Sequence, residues 1–416
     1  MTITIGDIVM YSASFVSLYV IILLLIIFWR GKNNTPKLKL LKNYPKVCII
    51  VPCFNEEKTI VKTVHSLLNL DYPQDKLEII IVDDGSTDRT YKRAEKLLKH
   101  SQVKLFWKQN GGKWTALNYG LEKTEAEFVG CLDSDSFVSP QALKLIMAYF
   151  VDEKIAVVTP SIKVSNPKSI FQRVQRIEYF SGIFLRKNLT FLDSLTVAPG
   201  PFSIYRKKIF ADIGLFKEAH HTEDMEIAMR LQSNNYRIAN APEACVYTVS
   251  PASFKALYLQ RQRWYGGFVK NFWDYRYIFL NKKYEDLGLF VLPMAIISVV
   301  IFITAMFYSL FILAQTAINQ FIIWQAINFD LTQITFNLDW FFINTSALLF
   351  IGLFVLIFGV IAVLYGQRMS SDKSSPNDKP GLIKDFLFYL FIYGPLMLTW
   401  WMGVIKRTLS NKKYKW

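Results

Sequence analysis

Histidine and cysteine are scarce in this sequence, which has four of each among 416 residues. Four histidines are too few to build a convincing metal cluster. The spacing of the cysteines, Cys48, Cys53, Cys131 and Cys245, matches no zinc motif. All four lie between the first and second long apolar segments, where reduced cytosolic thiols are the simpler interpretation. The sequence therefore gives no support to a zinc site.

The sequence also lacks the two common motifs of glycine-rich phosphate-binding loops. No G-x-G-x-x-G follows an expected strand, and no G-x-x-x-x-G-K-[ST] loop occurs. Dinucleotide-dependent dehydrogenases and P-loop ATPases therefore lose their main support. A diphosphate bound by this chain would be held by a metal ion and basic side chains instead.

Acidic residues are outnumbered by basic ones: 33 Asp and Glu stand against 48 Lys and Arg, a formal net charge of +15. Much of the excess flanks apolar segments, where basic residues face the cytoplasm. No zinc-finger pattern or other nucleic-acid-binding module is recognised in the sequence. We therefore expect the lipid bilayer, and no nucleic acid, as a partner.

Charge is absent from four long stretches. The first, residues 8–28, is long enough to cross a bilayer, lacks a preceding basic stretch and is followed by Arg30 and Lys32. We therefore expect a membrane anchor there and not a cleaved signal peptide. The other uncharged stretches are residues 287–329, 341–365 and 386–405. Together they predict an integral membrane protein.

Residues 44–250 have the pattern of a soluble domain in which strands alternate with helices. Apolar runs that end in polar turns, typical of buried parallel strands, occur in KVCIIVPCFN, LEIIIVDDGSTD, AEFVGCLDSDS and KIAVVTPSIKV. Between the first two, EEKTIVKTVHSLLNL has apolar residues at helical spacing. The pattern predicts an α/β sheet with its site at the carboxyl ends of the strands.

Asp133 and Asp135 follow one of these apolar runs, two residues apart in LDSDS. On an extended chain both carboxylates would point to one site. A hard divalent cation such as Mg²⁺ or Mn²⁺ would relieve their repulsion and bridge them to a substrate diphosphate. The alternative is a solvated turn rich in Asp and Ser.

Three more acidic groups accompany this pair. They are PCFNEE and VDDGSTD at strand ends, and Glu223 with Asp224 at the start of a helix in HHTEDMEIAMRL. Each alone is compatible with an ordinary turn, an N-cap or a favourable interaction with the helix dipole. The four in this order are much less compatible with chance, which favours a functional site.

Together with NGGKWTALNYG, APGPFSIYR and QRQRW, these motifs resemble those of family 2 glycosyltransferases. The similarity is to the membrane-embedded branch that makes hyaluronan, chitin, cellulose or poly-N-acetylglucosamine. The matching stretches span residues 51–264 and are weak singly but highly specific in series. The resemblance implies a GT-A-type α/β glycosyltransferase domain inserted between transmembrane helices, a UDP-sugar donor, and Mg²⁺ or Mn²⁺ as cofactor.

The resemblance also implies which residues bind the donor. Glu56 and Asp84 would help to bind the uracil and ribose, and Lys113 would line the donor pocket. Asp133 and Asp135 would be the D-x-D pair, with Asp135 bound to the metal.

Asp224 corresponds to the catalytic base of the family. It would remove the proton of the acceptor hydroxyl while the cation and Arg263 stabilise the leaving diphosphate. A single displacement inverts the anomeric centre, so an α-linked donor would give a β-linked product.

Gln260, Arg263 and Trp264 match the Gln-x-x-Arg-Trp motif, which lies near the diphosphate and acceptor, and Arg261 is a less certain member. The flat indole of Trp264 would stack on a sugar ring. The alternative for Trp264 is an interfacial anchor, because residues 252–278 mix aromatic and basic residues as an amphipathic membrane-surface helix does.

The expected order along the chain is an N-terminal transmembrane helix (1–30), the cytosolic GT-A domain (31–250), interfacial amphipathic helices with the Gln-x-x-Arg-Trp motif (251–286) and a C-terminal transmembrane region (287–416). Basic residues after the first span agree with a cytoplasmic domain: Lys32, Lys37, Lys39 and Lys42. A full crossing at 386–405 would place a basic tail outside, so we favour a re-entrant hairpin at Gly394-Pro395 over splitting 287–329 into two crossings.

The leading hypothesis is a processive synthase in a multi-pass cell-membrane protein, which extends a β-linked polysaccharide and moves it across the bilayer. The alternative within this chemistry is transfer of one sugar to a lipid carrier or membrane glycolipid. A transporter or signalling protein with a degenerate transferase domain is a third possibility, and the intact carboxylates argue against it. The transferred sugar and any accessory subunits are not identified by the sequence.

Overall fold

The computed structural model describes residues 5–34, 40–326, 347–372 and 381–410. The chain forms two compact units: one holds the described residues of Met1–Ile26 and Leu292–Ile361, and the other those of Ile27–Val291 and Ala362–Trp416. The second, called the sheet unit here, carries an eight-stranded sheet.

The strands of the sheet are β1 (Val47–Cys53), β2 (Leu77–Asp83), β3 (Val103–Trp107), β4 (Phe128–Cys131), β5 (Ser136–Val138), β6 (Ile155–Val164), β7 (Ile204–Arg206) and β8 (Arg237–Thr248). Their order in space is β3-β2-β1-β4-β7-β6-β8-β5. Strands β3, β2, β1 and β4 are parallel, whereas β7 runs antiparallel to both β4 and β6. The carboxyl ends of β1, β2 and β4 therefore meet at one edge.

The helices are α1 (Ile5–Asn34), α2 (Ile60–Leu68), α3 (Thr90–Glu95), α4 (Lys113–Glu122), α5 (Ala142–Met147), α6 (Ile170–Phe191), α7 (Ile209–Ile213), α8 (Glu223–Ser233), α9 (Phe254–Asp274), α10 (Leu292–Ala326), α11 (Ala347–Met369) and α12 (Leu382–Leu409). A capping box starts α6, because the Ser169 hydroxyl accepts from the Gln172 amide and the Gln172 side chain accepts from the Ser169 amide.

The sheet is covered on both faces because alternate residues of β1 point to opposite sides. Ile49 packs in one buried cluster with Val64 of α2, and Ile50 packs in another with Leu117 of α4. All seven residues of β1 and of β2 are buried. This explains their uninterrupted apolar runs, and the predicted α/β sheet is confirmed.

Strands β3, β5, β7 and β8 were not evident from the sequence. Strands β5 and β7 have three residues each, too few for a periodic pattern. Strand β3 is partly exposed, and the pairing of β8 with β6 shifts register. Their place in the sheet is set by pairing with distant segments, which a local pattern does not encode.

Four helices are long and apolar enough to cross a membrane: Ile8–Lys32, Leu287–Ala326, Phe350–Met369 and Leu382–Leu409. They match the four uncharged stretches of the sequence. The alternative of two crossings within 287–329 is wrong for the described part of that stretch, because α10 continues without a break to Ala326. Lys37 and Lys39 lie outside the described residues.

The re-entrant hairpin at Gly394-Pro395 is also wrong. Pro395 lies inside α12, which runs as one helix of 28 residues. Proline removes one helical hydrogen bond, but packing along the helix offsets that cost. Helix α12 contacts α6 through Asp385 and α9 through Trp400 within the sheet unit.

Candidate active site

Lys113 connects two of the acidic motifs. Its ammonium nitrogen lies 2.7 Å from Oδ1 of Asp133 and 2.9 Å from Oε1 of Glu223. Burial alone would lower the pKa of Lys113, but the two carboxylates raise it well above its usual value. Gly200 permits this approach, because a Cβ there would lie 2.7 Å from the same nitrogen. The LDSDS and TED motifs therefore meet at one cation.

Asp84, at the end of β2, holds the loop that begins α4. Its carboxylate accepts from the backbone amides of Gly111 at 3.1 Å and Gly112 at 2.8 Å, and from the Lys108 ammonium at 2.6 Å. Gly112 has a φ of +91°, a conformation that suits glycine. These contacts orient the loop that carries Lys113. The predicted role of Asp84 in nucleotide binding stays a prediction.

Asp133 and Asp135 lie in a turn, not on the extended chain that the sequence suggested. Strand β4 ends at Cys131, and the Ser136 amide donates to the Asp133 carbonyl at 2.9 Å. The turn still brings the acids together: burial, followed by the charges of Asp133 and Glu56, raises the pKa of Asp135 to about 7.

Glu56 thus lies near the D-x-D pair, as its place after β1 predicts. Its carboxylate accepts from the Thr59 hydroxyl at 2.6 Å, and its backbone amide donates to the Thr90 hydroxyl at 2.7 Å. These bonds hold Glu56 at the sheet edge where the acidic turns converge.

Asp224 lies in the first turn of α8, where its Oδ1 accepts from the Met225 amide at 2.9 Å. Burial, and then the charge of Glu223, raises the pKa of Asp224 to about 6, while Lys113 and Arg263 act in the opposite direction. Glu223 itself has a lowered pKa: burial would raise it, but its ion pair with Lys113 prevails. A carboxylate that titrates near neutrality is suited to accept a proton.

Helix α9 carries the Gln-x-x-Arg-Trp motif and packs on the turn before Asp224. The Asn271 side chain donates to the Thr222 hydroxyl at 2.7 Å. A Cβ on Gly267 would lie 2.3 Å from that hydroxyl, so the contact needs glycine. The charge of Arg263 lowers the pKa of both Glu223 and Asp224, which agrees with its predicted place in the site.

Gln260 and Trp264 lie on the same helix. The buried Oε1 of Gln260 accepts no hydrogen bond from any described residue. The guanidinium carbon of Arg261 lies 4.3 Å from the ring centroid of Trp264, and its Nη2 lies 2.7 Å from Oε2 of Glu178. The partner of Arg261 is therefore a carboxylate of the protein itself.

The acidic side chains of this site include possible metal ligands. Among the described residues, no three or more His, Cys, Asp or Glu side chains are grouped so as to hold an ion. Asp133 and Asp135 offer oxygen ligands; burial, and then the charges of Asp133 and Glu56, raise the pKa of Asp135, and a divalent cation would offset that repulsion. The pair therefore fits an ion that takes its remaining ligands from a bound diphosphate and water.

Sequence reasoning assigned no role to three residues that hold the site together. Glu223 and Gly200 stand in the TED and APGPF stretches, so the motifs contained a signal for them. Lys108 lies outside these motifs, and its contact with Asp84 spans 24 positions. A spacing pattern does not report such a contact.

The sheet order and the acidic edge define a glycosyltransferase of the GT-A type. Residues 48–214 match the model of Glycosyl transferase family 2. A mannosyltransferase from Pyrobaculum calidifontis, solved with GDP-Man and Mn²⁺, has the same fold, with a TM-score of 0.60, 17% identity and coverage of 97% of this chain and 98% of that one.

Two relatives match longer parts of the chain than this domain. A poly-beta-1,6-N-acetyl-D-glucosamine synthase of Staphylococcus epidermidis is 26% identical over 352 residues, covering 82% of this chain and 81% of the relative. The synthase of that name from Staphylococcus aureus strain COL is 31% identical over 224 residues, covering 53% of this chain and 54% of the relative. The chain is thus a membrane protein with a family 2 glycosyltransferase domain, homologous to these polysaccharide synthases. The relatives favour the leading function hypothesis over single-sugar transfer.

Proposed function

We propose that the protein is a processive, inverting synthase that takes sugar from a UDP-sugar and extends a β-linked polysaccharide. The observation that carries this proposal is the joining of the D-x-D and TED motifs by Lys113, at 2.7 Å from Asp133 and 2.9 Å from Glu223. The groups that bind the donor and the base that deprotonates the acceptor hydroxyl must lie close to one anomeric carbon, and this contact supports their convergence.

In the proposed mechanism, Asp224 accepts the proton of the acceptor hydroxyl as that oxygen attacks the anomeric carbon. Arg263 stabilises negative charge on the leaving diphosphate, since a guanidinium can donate two hydrogen bonds to a phosphate. Lys113 and Gln260 orient the donor and acceptor, and the indole of Trp264 stacks on the acceptor sugar. Glu56 and Asp84 bind the nucleoside. Attack opposite the leaving group inverts the anomeric centre.

Asp133 and Asp135 would hold Mg²⁺ or Mn²⁺ together with the donor diphosphate. When bound, the ion supplies positive charge to the leaving group. The fit of the two carboxylates described above supports this assignment.

The donor that we propose is UDP-N-acetylglucosamine, and the product is a β-1,6-linked polymer. The names of the two staphylococcal relatives support this choice. The test is to incubate the purified protein with single UDP-sugars and Mg²⁺ or Mn²⁺, with and without a chelator, and to measure UDP release and product length. We expect long polymer from UDP-N-acetylglucosamine alone. A single added sugar would contradict processivity, and turnover of another donor would contradict the sugar assignment.

We further propose that the protein crosses the membrane several times with the eight-stranded sheet in the cytoplasm, where it meets the donor. All four cysteines are buried, so a cysteine introduced by Lys99→Cys at an exposed position gives a clean label. We expect a membrane-impermeant maleimide to modify this variant only after the cells are broken. Modification in intact cells would contradict the orientation.

A further inference from the structure

A buried ion pair lies directly behind the Gln-x-x-Arg-Trp motif. Glu178 on α6 accepts a hydrogen bond from Nη2 of Arg261 on α9 at 2.7 Å, and only 2% of Arg261 is exposed. The other oxygen of Glu178 accepts from the hydroxyl of Tyr393 on α12 at 3.2 Å. One carboxylate therefore joins three helices of the sheet unit.

Arg261 covers one face of Trp264. Its guanidinium carbon lies 4.3 Å from the centroid of that indole and 5.3 Å from the centroid of Trp400 on α12. Residues three apart on a helix share a face, so the stacking arises within α9 itself. A guanidinium over an indole is attractive, and more so away from water. The protein thus occupies one face of Trp264, and in the proposed function the acceptor sugar stacks on the other.

We propose that Glu178 is a positioning residue for the acceptor: it fixes Arg261, and Arg261 fixes the plane of the Trp264 indole on which the acceptor sugar stacks. The inference rests on the proposed function, in which Trp264 supports the acceptor. It assigns Arg261 to the support of the indole and not to the diphosphate. The bond from Tyr393 to Glu178 also links α12 to this support.

The physical basis is pre-organisation. An indole that can rotate must lose that freedom each time a sugar binds, whereas an indole already stacked on a fixed cation does not. Glu178 holds the guanidinium plane of Arg261 in one orientation, because its carboxylate accepts a hydrogen bond from that guanidinium. Loss of the carboxylate would affect acceptor binding and leave the donor groups around Lys113 in place.

The first test is Glu178→Gln, which keeps the size of the side chain and one acceptor oxygen but removes the charge. We expect the KM for β-1,6-linked N-acetylglucosamine oligomers to rise about 3- to 30-fold, the range of a cation–π contact that is partly or fully shielded from water. More UDP should be released per sugar transferred. The KM for UDP-N-acetylglucosamine and the rate of its hydrolysis should stay within about twofold of the wild-type values. A change of that size is no larger than a substitution remote from the donor site usually causes.

Asp385→Asn is the matched control. It removes the acid of another buried α6–α12 contact, in which Arg176 Nη1 lies 3.1 Å from Asp385 Oδ2. We expect lower thermal stability in this variant with an unchanged acceptor KM. If both variants raise the acceptor KM equally, Glu178 has only a structural role and the inference is overturned.

Arg261→Lys keeps the test decisive if Glu178→Gln folds poorly, and a double variant tests the coupling if it folds well. Arg261→Lys preserves the charge but loses the flat stacking surface, so it should raise the acceptor KM like Glu178→Gln; a wild-type KM in Arg261→Lys would overturn the inference. Adding Glu178→Gln to Trp264→Ala should raise the KM no further, whereas independent effects would multiply. The length of the product made by the wild-type protein tests processivity separately. The acceptor KM values of the variants can be compared even if the protein adds only one sugar to each oligomer.

Discussion

Asp135 and Asp224 titrate above the usual range of aspartate, with pKa values of about 7 and about 6. Burial is the largest cause for both, and a neighbouring carboxylate is the next: Asp133 for Asp135 and Glu223 for Asp224. The consequences differ, because a base must be free of its proton whereas a metal ligand exchanges its proton for the ion.

The pH dependence of turnover follows from Asp224. Because the ionised form is the base, kcat should fall as the pH is lowered through about 6. The free energy of unfolding should change in the opposite sense. A carboxyl whose pKa is raised in the folded state stabilises the fold most below its unfolded pKa of about 3.9, and this contribution is lost as the pH rises through 6.

Asp224→Asn should lower kcat by about 10²-fold or more while UDP affinity persists. Loss of UDP affinity together with kcat would make Asp224 a donor ligand.

Asp135→Asn tests the metal assignment. It removes one anionic ligand without much change in shape, so the protein should fold and insert but lose transfer. In calorimetric titrations UDP should bind more weakly in the presence of Mn²⁺, with little change in its absence. For the wild type, activation by Mn²⁺ should weaken below pH 7, since a proton then competes for the carboxylate of Asp135. Near-normal turnover by Asp135→Asn would exclude this residue as a metal ligand.

Among the elements, α9 depends on one close approach to the TED turn. A methyl group on Gly267 would lie 2.3 Å from Oγ1 of Thr222, two residues before Asp224. The backbones must separate to admit it, because Thr222 is buried and its Cβ would also be only 2.9 Å away.

Gly267→Ala should therefore destabilise the protein by about 1–3 kcal/mol, although alanine favours a helix over glycine. It should also reduce transfer, because Arg263 and Trp264 move with α9. The control is Gly352→Ala on α11, where an added Cβ meets no described atom within 4 Å. Thermal unfolding and transfer assays of the two variants give the comparison. Equal behaviour would show that the contact between α9 and Thr222 is not tight.

The elements also show how far the sequence could predict this molecule. Strands such as β1 and β2 were evident because all their residues are buried, which gives unbroken apolar runs. Motif order indicated that Lys113 and Asp224 serve one site. The continuity of α12 through Pro395 and the contact of Glu178 with Arg261 were not predictable, because packing between residues far apart in the chain decides them.

For the whole molecule, the central question is whether one active site both transfers sugar and retains the polymer. In the proposed function, a substitution of Trp264 separates these two tasks. Trp264→Ala should lose about 1–3 kcal/mol of stacking, the scale of flat rings on aromatic side chains. Hydrolysis of the donor should survive, because Asp135 and Arg263 still hold the diphosphate. The variant should therefore release UDP and free sugar while making little long polymer.

Trp273→Ala is the matched control for a membrane anchor. Trp273 lies on the same helix, is 69% exposed and also has an arginine, Arg276, over its ring at 5.1 Å. An anchoring role for Trp264 predicts that both variants insert poorly and lose hydrolysis and polymerisation together. Polymer of wild-type length from well-folded Trp264→Ala would exclude the acceptor role.

The ammonium group shared by Asp133 and Glu223 makes Lys113 an internal counter-ion, present before any donor arrives. An incoming diphosphate must compete with these two carboxylates for that ammonium, so binding exchanges one ionic partner for another and does not fill an open basic pocket. The two carboxylates stay in the site and already balance the charge of the ammonium, so Lys113 offers an approaching diphosphate little net positive charge. Donor affinity should consequently depend less steeply on ionic strength than the chain's net charge of +15 would suggest.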